Sequence, residues 1–278
     1  MSSDLEPTHW VENRPRHGFR VPNLPELWQS RELAWFLAVR DLKVRYKQAI
    51  LGAAWAVFQP VASVVVFTLV FQRLANVPSA GIPYPIFALA GLTVWTYASG
   101  SVIRATQSLV NNSPLVTKVY FPRLLAPLSS ILPGLVDLLF SFLILVVLMP
   151  LYGVRPTWAI LTVPLWLLAA VTVVLGIGLL LGTLNVKYRD VNHIITLLVQ
   201  LWLFITPVAY PSALVPRAWR GIYFLNPMAG VVEGFRWAAV GTPWPGPAVF
   251  ISLFTSLAIL VVGVAYFERS ERQFADII

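Results

Sequence analysis

Apolar residues in this chain come in long blocks separated by short polar connections. Six blocks, 51–74, 84–107, 124–149, 157–184, 193–210 and 247–267, approach or exceed the roughly 20 residues of helix that cross a hydrocarbon core of about 30 Å. The fifth is the shortest and runs into Pro207, Pro211 and Pro216. Strands of a membrane barrel would alternate apolar and polar positions, and the run Leu-Ile-Leu-Val-Val-Leu at 143–148 does not. The pattern predicts an all-α integral membrane protein with six transmembrane helices.

Composition agrees: 58% of the 278 residues are hydrophobic and 12% charged, where a soluble domain carries about 25% charged. The chain has no cysteine, which removes disulfides and thiolate metal sites, and His9, His17 and His193 are too scattered for a metal cluster. The first 30 residues are polar and Pro-rich with no apolar core, so they do not read as a cleaved signal peptide. The net charge of +8 has a topological explanation rather than a nucleic-acid partner. With six spans, 15 of the 20 Lys and Arg fall on the side of the termini and 5 on the other. The positive-inside rule then puts both termini in the cytoplasm.

Four segments carry more than hydropathy. Residues 30–49 form a predicted amphipathic interface helix in which Trp35, Val39, Leu42 and Tyr46 share a stripe about 60° wide at 100° per residue. Arg40, Asp41, Lys43, Arg45 and Lys47 lie outside that stripe, which suits a helix at the lipid interface. A topology anchor is one reading; a second apolar line, Leu33, Leu37 and Val44, is the mark of a helix that also packs on a cytoplasmic partner. The connection 111–123 predicts a short helix capped by Asn112 or Ser113, opened by Pro114 and stopped by Pro122. Its Val116, Val119, Tyr120 and Phe121 either tuck beneath the bundle or dock into another subunit. Asp137 in the third block and Arg104 near the end of the second are costly in a membrane, at about 2.5–3.5 kcal/mol each on insertion scales. An interhelical hydrogen bond or ion pair that fixes packing accounts for both, with snorkelling a further option for Arg104, and one carboxylate is too few for a proton relay. The segment 211–246 reads as short re-entrant helices before the last span. Its centre is capped by Asn226 with Pro227 first, and Glu233 and Arg236 pair three residues apart. A passive surface cap with interfacial aromatics is the alternative reading.

No P-loop is present, because the four lysines follow Leu42, Tyr46, Thr117 and Val186 rather than a glycine. G-x-S-x-G, H-E-x-x-H and G-x-G-x-x-G are absent too, so no catalytic residue, cofactor or metal is expected in this chain.

The string Arg40-Asp-Leu-Lys-Val-Arg-Tyr-Lys-Gln, then Leu51-Gly-Ala-Ala-Trp and Gln59-Pro60, resembles the start of the ABC-2 type permeases that export cell-surface polysaccharides such as O-antigen, galactan and wall teichoic acid. Asn185-Val-Lys-Tyr-Arg-Asp and the stretch from Asn226-Pro to Arg236 extend the resemblance over about residues 27–275. The Pro-rich first 25 residues lie outside it, so the expected organisation is a Pro-rich cytoplasmic N-terminus (1–29) and one ABC-2 type transmembrane domain (30–278). The resemblance implies a homodimer in the bacterial plasma (inner) membrane, bound to two copies of a cytoplasmic ABC ATPase that holds ATP and Mg. The implied cargo is a lipid-linked polysaccharide moved outward. By the same resemblance Arg40, Asp41, Lys43, Arg45, Asn112, Lys118, Tyr120, Phe121, Lys187 and Arg189 couple to the ATPase. Asn226, Pro227, Glu233 and Arg236 belong to an outer gate, and Arg104 and Asp137 are intramembrane polar residues. An ABC-2 exporter of a small lipid or drug is the alternative, ahead of a polytopic glycosyl- or acyltransferase, for which the external loops offer only Glu233.

Overall fold

The computed structural model describes residues 24–47, 54–118, 121–271 and 274. Every regular element among them is helical. Two helices, α1 (Leu24–Gln29) and α2 (Arg31–Lys47), precede α3 (Ala54–Phe67), which continues as a π-helix through Thr68–Leu74. Then follow α4 (Tyr84–Asn111), α5 (Ser113–Lys118), α6 (Leu125–Leu151), a 3₁₀ turn (Trp158–Thr162) leading into α7 (Val163–Lys187), and α8 (Val191–Ile205). Two 3₁₀ turns, Ser212–Leu214 and Arg217–Trp219, lead to α9 (Arg220–Tyr223), α10 (Pro227–Val240) and α11 (Val249–Ser270).

Five helical stretches among the described residues are long and apolar enough to cross a membrane: Ala54–Leu74, Tyr84–Asn111, Leu125–Leu151, Trp158–Lys187 and Val249–Ser270. They match five of the six predicted blocks. The fifth block differs. α8 stops at Ile205 instead of Tyr210, and its 15 residues rise about 22 Å, short of a 30 Å core. Pro207 is the cause: the residue before a proline is pushed out of the α region, and Thr206 is extended at φ −106°, ψ 139°.

α4 is the axis of the molecule. Its most apolar stretch is 78% buried, against 11% for Ala54–Leu74, and it packs on α6, α7, α10, α3 and α8. Without a hydrophobic drive between helices in lipid, close packing of small residues holds such contacts. A Cβ at Gly178 of α7 would sit 2.5 Å from the Cβ of Ala105 on α4. On its other side α7 crosses α11 backbone to backbone. A Cβ at Gly176 would lie 2.7 Å from the amide nitrogen of Leu260, and one at Gly263 would strike the Gly176 carbonyl.

The interface helix departs from expectation in two ways. It is broken at Ser30, which forms a turn between α1 and α2; residues 48 and 49 lie outside the described ones. Nor is Leu37 a partner-facing residue: it is 1% exposed, buried with Ala38 where α2 lies on α6. Leu33 packs against a cluster that includes Leu109, Val116 and Leu125, whereas Trp35, Phe36 and Val44 are exposed. Leu33 and Leu37 of the line read as partner-facing therefore attach the helix to its own bundle, and Val44 of that line remains exposed.

Gly176→Leu and Gly263→Leu should each force α7 and α11 apart, at a cost of about 1–3 kcal/mol. Thermal unfolding of the purified protein in detergent should show the loss, while Gly221→Ala, where an added Cβ meets nothing within 4 Å, should lose much less.

Candidate functional site

Polar side chains gather at the two ends of α4. At its N-terminal end the centre is Arg236, fully buried on α10. α10 begins where it must: Asn226 caps it by accepting from the Met228 amide (3.1 Å), Pro227 takes the first position, and Gly241 ends it at φ 73°. Thirteen of its fourteen residues are buried, Glu233 included. Arg236 Nη1 donates to Glu233 Oε1 (3.3 Å), the pairing expected from their spacing.

The other donors of Arg236 go to backbone. Nη2 reaches the carbonyls of Pro207 (2.9 Å) and Val208 (3.0 Å), and Nε that of Phe87 (3.3 Å). The guanidinium carbon lies 3.7 Å from the centre of the Phe87 ring. Glu233 Oε1 accepts a second bond from the Ser212 amide (2.8 Å), and the Tyr84 hydroxyl donates to the Ala209 carbonyl (2.8 Å). These acceptors belong to the irregular, buried chain that follows α8. Carbonyls outside a helix at that depth need side-chain donors, since lipid offers none, and Arg236 and Tyr84 are those donors. Gly91 leaves room for the guanidinium, because a Cβ there would overlap Nη2.

Asn226 ties the same region together. Its Oδ1 also accepts from Trp202 Nε1 (2.9 Å) on α8, and its Nδ2 donates to the Ile205 carbonyl (3.1 Å) and Thr206 Oγ1 (3.0 Å). Ser252 of α11 bonds the carbonyls of Phe224 (2.7 Å) and Asn226 (3.0 Å) and accepts from the Gly230 amide (3.1 Å). Tyr84, Gly91, Trp202 and Ser252 were not singled out from sequence. Only the glycine left a trace there, as a small residue in a span.

At the C-terminal end of α4 there are two clusters. Arg40 donates to Asp41 Oδ1 through Nε (2.9 Å) and Nη2 (2.7 Å), and through Nη2 also to Asn112 Oδ1 (2.8 Å). Asn112 ends α4 by bonding the Ser108 carbonyl, and its own carbonyl accepts the first amides of α5. The interface helix is therefore pinned where α4 passes into α5. Nearby, Asp137 of α6 accepts from Arg45 Nη1 (2.5 Å) and from the Tyr46 hydroxyl, both on α2. Burial, reinforced by that bond, pushes the Tyr46 phenol up to about 12, so it remains a donor at neutral pH.

Arg104 does not snorkel outward. It turns into the bundle, donating to Ser101 Oγ (2.7 Å) and the Ser130 carbonyl (3.2 Å), because Gly134 leaves a gap that any Cβ would close. Lys43, Lys118, Lys187 and Arg189 are exposed. Phe121 is 8% exposed and, with Val116, packs beneath the bundle against Phe267 and Phe274, the tucked-under alternative. Val119 and Tyr120 lie outside the described residues. Asn185 is structural, donating to the Thr106 carbonyl (3.1 Å).

A family model described as ABC-2 type transporter matches residues 32–240. The O-antigen export system permease protein RfbA of Myxococcus xanthus is 31% identical over 256 residues, covering 90% of this chain and 97% of the relative. A protein of the same name from Klebsiella pneumoniae is 28% identical, covering 86% and 92%. The polysialic acid transport protein KpsM of Escherichia coli is 23% identical, covering 84% and 92%.

Removing one member of the Glu233–Arg236 pair should cost about 3–5 kcal/mol, because it strands a buried charge. Arg236→Gln should be worse than Glu233→Gln, since three backbone carbonyls lose their donor as well. The double variant should lose less than the sum of the singles. Melting temperatures of the three proteins at matched detergent check this; strictly additive losses would mean that the residues act independently.

Proposed function

The chain belongs to the ABC-2 type transporter family, and from that premise we propose that it is the permease subunit of an ABC exporter moving a lipid-linked cell-surface polysaccharide outward. The observation that carries this reading is similarity along nearly the whole chain, not at one motif, to relatives named for O-antigen export and polysialic acid transport. The chemistry of the chain fits. It lacks a P-loop, so ATP and Mg belong to a separate ATPase, bound in two copies to a homodimer of this permease.

In this reading the protein lies in a bacterial inner membrane with six spans and both termini in the cytoplasm. α8 provides the sixth crossing together with the irregular chain that Arg236 and Tyr84 satisfy. Short and broken spans occur where protein supplies the missing partners. The C-terminal end of α4 then faces the cytoplasm, and α2, α5 and the α7–α8 connection present Lys43, Lys118, Lys187 and Arg189 to the ATPase. Arg40 and Asn112 transmit its motion by joining α2 to the α4–α5 corner. The 211–241 region, with Asn226, Pro227, Glu233 and Arg236, is the outer gate. The burial of α10 within it supports a packed gate over a passive surface cap.

The test is reconstitution with the partner ATPase and a lipid-linked polysaccharide. The permease alone should turn over no ATP, and the complex should hydrolyse ATP and move the polysaccharide across the bilayer; ATP turnover by the permease alone would sink the reading. Topology is checked in parallel, since the chain has no native cysteine. In intact cells an impermeant thiol reagent should label Ala213→Cys and leave Thr117→Cys untouched.

A further inference from the structure

α5 is six residues long, and a helix that short is not stable on its own. Its place is therefore set by what its apolar side meets. Val116, its one buried residue, and Phe121 just beyond it belong to an apolar cluster beneath the bundle. The other aromatic members of that cluster come from the far end of the chain. They are Phe267, in the last turn of α11, and Phe274 after it, both fully buried, with ring centroids 5.3 Å apart at 75°.

Two hydrogen bonds fasten the same place from the polar side. The Arg123 guanidinium donates through Nη1 to the Glu271 carbonyl, and the Arg123 amide donates to Glu271 Oε1 (3.4 Å). Glu271 ends α11, so the guanidinium brings a donor and a positive charge to a helix end whose last carbonyls lack helical partners. Asn112 fixes the start of α5 by accepting from the Leu115 and Val116 amides, and the end of α11 meets the chain on the other side, at residues 121–123. α11 is a firm post for that contact. It crosses α7 backbone to backbone at Gly176 and Gly263, and Ser252 in its first turn bonds α10 and the turn before it.

We propose that the end of α11 is the seat of α5: Phe274 and Glu271 hold residues 113–123 in the orientation in which Pro114, Thr117 and Lys118, the exposed residues of α5, meet the ATPase. Both are positioning residues, acting on the ATPase contact through α5. The inference rests on the reading of α5 as an ATPase contact and deepens it by adding the last span to the elements that a push on α5 displaces. Such a push reaches α10 through α11 and Ser252 as well as through α4.

The test combines amide hydrogen exchange on the full chain in phosphatidylcholine nanodiscs with the affinity of the partner ATPase for the same discs. In Phe274→Ala the Leu115 and Val116 amides should exchange at close to the rate of unstructured chain, while those of α10 keep their protection. A seat occupied about a tenth of the time raises the apparent Kd for the ATPase about tenfold, and that is the rise expected. Phe274→Leu, which still fills the cluster, should restore most of both. Arg123→Ala, which leaves the cluster untouched, should move both in the same direction, and it decides the matter if Phe274→Ala fails to fold. Phe254→Ala, on the exposed side of α11, should change neither. Retained α5 protection in both Phe274→Ala and Arg123→Ala overturns the proposal. So does tighter ATPase binding by either, since α5 would then have to leave its seat and dock through Val116 and Phe121. Lost protection with unaltered ATPase affinity leaves the seat standing and overturns the ATPase contact at α5 on which its role rests.

Discussion

A guanidinium with no access to water holds one end of this protein together. Arg236 needs acceptors for donors spread around a plane, and the fold supplies them from three directions: Glu233 on its own helix, Phe87 on α4, and the carbonyls of Pro207 and Val208. The need is mutual. Pro207 ends α8 early, leaving carbonyls that no helix satisfies, and in a membrane those groups would each cost several kcal/mol. The cation and the broken chain are each unfavourable alone and stable only together. Gly91 on α4 and the left-handed Gly241 at the end of α10 follow from that arrangement, the first making room for the guanidinium and the second letting the chain turn toward α11.

α4 connects this lock to the C-terminal end of the bundle, about 42 Å away along 28 residues. Its burial on nearly all sides makes it a rigid strut, and small-residue contacts with α7 keep it close-packed. At the far end Arg40 and Asn112 fasten α2 to the corner where α4 becomes α5. A displacement of the interface helix or of α5 by a cytoplasmic partner therefore acts on the strut, and the strut bears directly on Arg236 through the Phe87 carbonyl and ring. One helix and two arginine contacts thus join the two ends of the protein.

The sequence made the spans legible because block length and charge depletion are local properties, and five of the six blocks appear as helices of nearly the expected length. The α10 cap at Asn226, Pro227 at its first turn and the Glu233–Arg236 pair were legible for the same reason, each depending on a spacing of four residues or fewer. What escaped depends on distant chain. Nothing local assigns Arg236 to carbonyls 28 and 29 residues away, or Asp137 to Arg45 and Tyr46 on another helix. The apolar line of Leu33, Leu37 and Val44 points to a covered face without saying what covers it; the bundle covers Leu33 and Leu37 and leaves Val44 exposed. For Arg104 the expected interhelical bond is present, to the Ser130 carbonyl of α6, and the snorkelling option is not taken, because Gly134 on α6 opens a gap that turns it inward.

The two ends of α4 differ in a way that separates structure from binding. At the Arg236 end each nitrogen of the guanidinium bonds an acceptor, and its charge is matched by a carboxylate on the same helix, so nothing remains to recognise a ligand. Such saturation gives rigidity. At the Arg104 end the carboxylate is already engaged by Arg45 and Tyr46, the guanidinium has only neutral partners, and the space beside it is open. An unsaturated cation next to a cavity costs stability that the bare fold does not recover. Arg104 thus sits on the same strut whose other end Arg236 locks, and the two cations divide the roles along it: one closes a packed end, the other faces open space.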